Sequence, residues 1–146
     1  MEIASTSSDQ PEGVFHGNCF VKIAQMGVFL DDEWDSVFAI IGPGYIRIYA
    51  SEEDYANSCT FVYELALSPV HLLSEVVSKN YSKDSQKPIT IHSFYVYKSL
   101  GGLHIKSIKI GNLNESIICG IRKTVSDFRY TDNNKLVGEF KTPLFH

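Results

Sequence analysis

Apolar and polar residues alternate along most of this chain, and the period is that of strands. Cys19-Phe20-Val21-Lys22-Ile23-Ala24 reads as a first strand and Val37 to Ile41 as a second, dense in β-branched and aromatic side chains. Gly42-Pro43-Gly44 is a turn, because proline fixes φ and glycine accepts a positive one. In the return strand Tyr45 to Ala50, Ile46 and Ile48 share one face while Tyr45, Arg47 and Tyr49 share the other. Ser51 to Ser58 reads as a polar, acidic loop. Thr60 to Leu67 is a fourth strand, stopped by Pro69, and Val70 to Val77 a fifth, with a short helix as the alternative. Ser78 to Pro88 is a long polar loop carrying Lys79, Lys83 and Lys87. Ile89 to Tyr97 alternates again, Leu100-Gly101-Gly102 turns the chain, and Leu103 to Ile110 gives the clearest two-residue period of all.

The period then changes. Asn112 with Glu115 three places on resembles a capping box. Leu113, Ile117, Ile121, Val125 and Phe128 follow as a helical apolar stripe, with Arg122 and Lys123 on the other face and Asp132-Asn133-Asn134 as the expected end. The expectation is a mainly β chain with one C-terminal amphipathic helix. Residues 1–13 are polar and Ser-rich and read as a disordered lead-in, 14–131 as one domain, and 132–146 as a tail.

Composition narrows the function classes. With 146 residues, 44% of them hydrophobic, one domain can bury a real core without disulfide or metal. Residues 1–73 hold two basic and eleven acidic residues, and residues 74–146 eleven basic and six acidic. A net charge of −4 with so polarised a distribution argues against a general nucleic-acid binder. The longest apolar run, Val37 to Ile41, is far below the ~20 residues of a membrane span. The start, Met1-Glu2-Ile3, carries no signal peptide or myristoylation pattern. Cys19, Cys59 and Cys119 are odd in number and far apart, which predicts reduced, core-filling thiols in a cytoplasmic setting. His16, His71, His92, His104 and His146 fall in no metal spacing, and no nucleophile elbow or P-loop occurs. No catalytic residue, metal ligand or cofactor is expected; a small hydrolase survives only as a third option.

Trp34-Asp35-Ser36-Val37-Phe38-Ala39-Ile40-Ile41, then Gly42-Pro43-Gly44 and Tyr45 to Ser51, resemble the second strand and following hairpin of the pleckstrin-homology (PH) superfold. Ile105 to Ile110 and Glu115 to Val125 resemble its last strand and closing helix. The resemblance implies a seven-stranded open barrel of two packed antiparallel sheets, plugged by the helix. Stand-alone PH-like domains of this length are similar to the inner-membrane-complex and acylated PH-like proteins of apicomplexan parasites. Those carry an N-terminal Gly and Cys acylation signal, which is absent from, or removed before, Met1-Glu2-Ile3. Two departures stand out. Ile117 occupies the place of a Trp common in the family's helix. And where phosphoinositide-binding members carry several basic residues, this chain has Lys22, then none until Arg47, with Asp31, Asp32, Glu33 and Asp35 between. A multiply charged phosphate is repelled there.

The expected function is therefore a non-catalytic interaction module that recruits or organises proteins at a membrane or cytoskeletal surface. Its partner surface is Phe29, Leu30, Asp31, Asp32, Glu33 and Trp34. Met26 and Val28 extend the apolar part, and four such side chains in one loop read as a membrane or partner wedge or else as a folded turn. The alternative is peripheral binding of an anionic phospholipid through Lys22, Arg47, Lys83, Lys87, Lys98 and Lys106. Each lysine near the surface adds about 1 kcal/mol at an anionic membrane, so a second anchor is required.

Overall fold

The computed structural model describes residues 15–30, 33–81 and 87–140, with residues 130–140 as helix backbone alone. The chain forms β1 (Phe15–Ile23), β2 (Asp35–Gly42), β3 (Tyr45–Tyr49), α1 (Glu52–Ala56), β4 (Tyr63–Ala66), β5 (Leu72–Leu73), β6 (Val77–Tyr81), β7 (Ile89–Leu100), β8 (Leu103–Asn112) and α2 (Glu115–Phe140). It is mainly β with one long C-terminal helix, as the sequence predicts. Among the described residues the strands form one antiparallel path, β4-β3-β2-β1-β8-β7-β5, with β6 also paired to β7. There are thus eight strands rather than seven, in one open sheet. The expected lead-in 1–13 lies outside the described residues.

Strand alternation builds the core directly. Val21, Val37, Ala39, Ile41, Ile46, Ile48, Phe94, Val96, Ile108 and Ile110 are all buried in one cluster, and Ile118, Ile121 and Val125 of α2 complete it. Each Val or Ile so buried contributes about 1.5–3 kcal/mol. Ile46 and Ile48 face in while Tyr45, Arg47 and Tyr49 stay half-exposed, as their alternation requires.

Four local expectations are corrected. The acidic loop after β3 contains α1: Ser51 caps it, its Oγ accepting from the Asp54 N–H at 3.1 Å, and Glu52, Glu53 and Asp54 sit where the helix dipole favours acid. β4 starts only at Tyr63, because the chain first turns through Ser58 at a φ of 61°. The expected fifth strand shrinks to Leu72–Leu73. β6 arises inside the expected polar loop, where Val77↔Ser93 to Tyr81↔Ile89 pair with β7. β6 is mostly exposed, so its side chains carry no apolar alternation to announce it.

In α2 the buried stripe is Ile118, Ile121 and Val125, with Phe128 packed against it, while Leu113 and Ile117 are exposed. Steps of four advance about 400° and drift off a face, whereas mixed steps of three and four hold it. The cap is Asn114, whose Oδ1 accepts from the Ile117 N–H at 3.3 Å, rather than Asn112. Arg122 does not face outward: its Nε donates to the Ser74 carbonyl at 2.7 Å and its Nη2 to that of Leu73 at 3.4 Å. Arg129 donates to the His71 carbonyl. α2 runs through Asp132-Asn133-Asn134 to Phe140, because Asp and Asn cost only tenths of a kcal/mol in a helix and no Pro stops it.

Candidate functional site

Two tight turns stand side by side at one end of β1, β7 and β8. Gln25 and Val28 pair across Met26-Gly27, with N–O distances of 2.8 and 3.2 Å. Leu100 and Leu103 pair across Gly101-Gly102. The four central residues have φ of 53°, 84°, 58° and 85°, the signature of type I′ turns. Glycine accepts this conformation readily; Met26 does so at a cost of about 1 kcal/mol.

The turns are joined through β8. Ala24 N–H donates to the Ser107 carbonyl at 2.9 Å and Lys106 N–H to the Gly27 carbonyl at 3.0 Å, so the first turn continues the β1–β8 ladder. Gly27 lies against Ile105, whose Cγ2 would stand 3.1 Å from a Cβ placed there. Six apolar side chains are exposed on this paired tip. Met26 is fully exposed, Leu100, Leu103 and Leu30 are 68%, 66% and 66% exposed, and Val28 and Ile105 complete the set. An apolar cluster of this kind on a water-facing tip marks a binding surface.

Behind the tip, the β1–β2 connection lies back over the outer face of the sheet. The Phe29 ring meets Tyr95 edge-on at 6.2 Å, with the ammonium groups of Lys106 and Lys109 at 5.9 and 5.8 Å. Trp34 packs edge-on to Phe20 at 6.5 Å and takes Lys22 and Lys109 at 4.9 and 5.7 Å. Its ring covers Gly111, where a Cβ would come within 3.1 Å of it. Tyr97 stacks on His104 at 4.0 Å, and the Tyr95 hydroxyl and His104 Nδ1 are 3.0 Å apart. The lysines of this floor thus interleave with rings in cation–π contact.

The predicted residues separate accordingly. Leu30 and Glu33 face solvent, whereas Phe29 and Trp34 fold back on the sheet. Asp31, Asp32 and Lys83 lie outside the described residues. Of the lysine set, Lys22 is buried, at 7% exposure, beneath Trp34. Arg47 lies on β3, three strands from β8 in the sheet order, where its Nε meets Glu64 Oε2 at 2.6 Å; that bond raises the guanidinium further above its ordinary range. Lys87 is exposed ahead of β7, remote from the tip. Among the described members of the set, Lys98 and Lys106 lie on the β7–β8 hairpin, on its two opposite faces. Sequence reading missed Leu100, Leu103 and Ile105, although two leucines around a Gly-Gly turn have no interior to reach.

Glu33 and Asp35 border a cleft of about 200 Å³ together with Leu30, Phe29, Gln25 and Lys22. On the β7–β8 hairpin, Lys106 and His104 share the face of Tyr95 and Tyr97, whereas Lys98, opposite Ile105, stands on the other face, within electrostatic reach of His71.

Elsewhere, an open cleft of about 420 Å³ between α2 and residues 75–76 is lined by Cys119, Arg122, Lys123 and Asp127. Arg122 there is engaged with backbone carbonyls, and Lys123 with Asp127 at 2.9 Å. Of the three cysteines only Cys19 fills the core, where burial pushes its thiol up to about 12; Cys59 and Cys119 are exposed, against expectation. Among the described residues no three His, Cys, Asp or Glu gather to hold a metal ion, and no helix is long and apolar enough to cross a membrane. A scan against protein-family models finds no match for this chain, and a search of curated proteins finds none either.

Proposed function

We propose that this chain is a PH-like, non-catalytic interaction module that docks a protein partner through the paired tip, recruiting or organising it at a membrane or cytoskeletal surface. The observation that carries the reading is the set of six exposed apolar side chains on two hydrogen-bonded turns. The PH-like assignment is supported by a meander of antiparallel strands followed by a helix packed on the core. A protein is favoured over an anionic lipid because Glu33 and Asp35 border the cleft that Gln25, at the base of the first turn, also lines, and an anionic surface repels them.

A photo-crosslinking amino acid at position 103 tests this. Protein adducts are expected, lost when Leu100→Glu is added and absent when the probe stands at Glu115. Phosphatidylserine-containing vesicles sedimented at low and high salt are expected not to carry the chain down. Salt-sensitive pelleting abolished by Lys98→Glu with Lys106→Glu would replace this reading with the lipid one.

A further inference from the structure

We infer that the connection from β4 to β5 is a pH-operated latch: protonation of His71 opens the turn Ser68–His71 and releases α2 at Arg129, while the rest of the fold stays closed. The turn hangs between two pins. On one side Leu67 is buried and its N–H donates to the Gly44 carbonyl at 2.8 Å. On the other, Leu72 and Leu73 pair with Tyr97 and Val96 of β7, and Ser74 N–H donates to the Tyr95 carbonyl at 2.9 Å. Arg122 holds the Leu73 and Ser74 carbonyls from α2. Neither pin uses a group that titrates near neutral pH.

The turn itself does. His71 N–H donates to the Ser68 carbonyl at 3.0 Å, and Ser68 N–H donates back to His71 Nδ1 at 3.1 Å. The second bond exists only while Nδ1 keeps its lone pair. An imidazolium carries a proton on both ring nitrogens, so protonation sets one N–H against another. It also places a charge on a buried ring. The charged groups that act on this ring are Lys98 from β7 and Arg129 from α2, whose guanidinium donates to the His71 carbonyl. Glu75, beyond β5 on the same stretch of chain, is exposed at the cleft beside α2, and no described carboxylate acts on the ring. A protonated His71 therefore meets two cations and no acid. Swinging the ring into water relieves both the clash and the repulsion. That movement breaks the two turn bonds and withdraws the carbonyl that Arg129 holds, whereas the Arg122 ties lie beyond the second pin and persist. Burial first, then Lys98, and then Arg129 hold the ring's pKa below its ordinary value in the closed turn, and the released ring titrates near about 6.5. The open turn thus binds the proton more readily. Opening is constant above about pH 6.5 and rises below it, by up to about tenfold per pH unit.

Amide hydrogen exchange of the full chain tests the latch, read residue by residue by NMR from about pH 7.5 to pH 5 and corrected for the intrinsic pH dependence of exchange. Protection of the Ser68 and His71 amides is expected to fall about tenfold per pH unit below about pH 6.5, while protection in the β7–β8 ladder holds. His71→Asn keeps an acceptor for the Ser68 N–H but does not titrate, and abolishes the fall. Lys98→Met brings the closed ring's pKa toward its ordinary value and shrinks the fall. His104→Asn leaves it intact. A flat wild-type profile overturns the latch. So does an equal loss of protection across the β7–β8 ladder, or a fall of the same size in His71→Asn.

Discussion

Met26 is the residue at which fold and function pull apart. It holds a left-handed backbone while its side chain lies wholly in water. Asn tolerates that conformation better and makes Asn-Gly, the preferred type I′ pair. Met26→Asn is expected to raise stability by about 0.5–1 kcal/mol in denaturant unfolding while reducing crosslinking from position 103. His71 makes a second case. It is 3% exposed, its Nδ1 accepts from the Ser68 N–H at 3.1 Å, and that bond places the ring proton on Nε2, which has no hydrogen-bond partner among the described residues. Burial first, and then the charge of Lys98, hold its pKa below the ordinary histidine value. The unfolded chain therefore binds a proton that folded His71 refuses. Stability is full above about pH 6.5 and falls as pH drops below it. Thermal melts across that window are expected to steepen for the wild type and flatten for His71→Asn. At this scale the sequence was readable where one face is buried, as at Ile46 and Ile48. It was silent where a side chain's role depends on a distant neighbour, as with Arg122 reaching residues 73 and 74.

Among the elements, α2 depends on more than its apolar stripe. Arg122 binds the carbonyls of Leu73 and Ser74, in the stretch between β5 and β6. Charged hydrogen bonds of this kind contribute about 1.5–3 kcal/mol, whereas an exposed i,i+4 pair such as Lys123–Asp127 contributes under about 0.5 kcal/mol. Arg122→Met is thus expected to lower the melting temperature clearly and Lys123→Met hardly at all. The β1–β2 connection has its own reporter, because the chain holds a single tryptophan and it packs over Gly111. Gly111→Val pushes a side chain into the space of the Trp34 ring and of Ile91, and is expected to cost about 1–3 kcal/mol with a red shift of the emission. An unshifted spectrum would show that the indole is not seated there. The strands with one buried face were legible from their alternation. β6 was not, since an exposed edge strand obeys backbone pairing rather than side-chain pattern, and the helical stripe was read correctly at Ile121, Val125 and Phe128 but not at its start, where Ile118 rather than Ile117 is buried and Leu113 is exposed.

For the whole molecule, the charge asymmetry of the sequence does not persist as two halves: among the described residues the early acids divide between the start of β2, α1 and β4, and the later bases between β6, the β7–β8 hairpin and α2. Lys22, an early basic residue, is carried by β1 into the company of Lys109. That pairing exposes how much of the architecture hangs on one strand. β1 is the first of the described elements in chain order, yet it lies in the middle of the sheet, paired with β2 on one side and with β8, from Phe20↔Gly111 to Ile23↔Ile108, on the other. The meander β1–β4 can zip up from local contacts as it leaves the ribosome. It then waits with one edge of β1 unpaired until residue 112 has been synthesised, and contacts this distant in sequence form slowly. Refolding of the full chain is therefore expected to be limited by the meeting of β1 with β8, with substitutions at Val21 or Ile110 slowing folding more than substitutions at Ile46 in stopped-flow measurements. Nascent chains stalled before β8 offer an open edge to one another, so the strand that unites the finished sheet is also the one most exposed to mispairing during its synthesis.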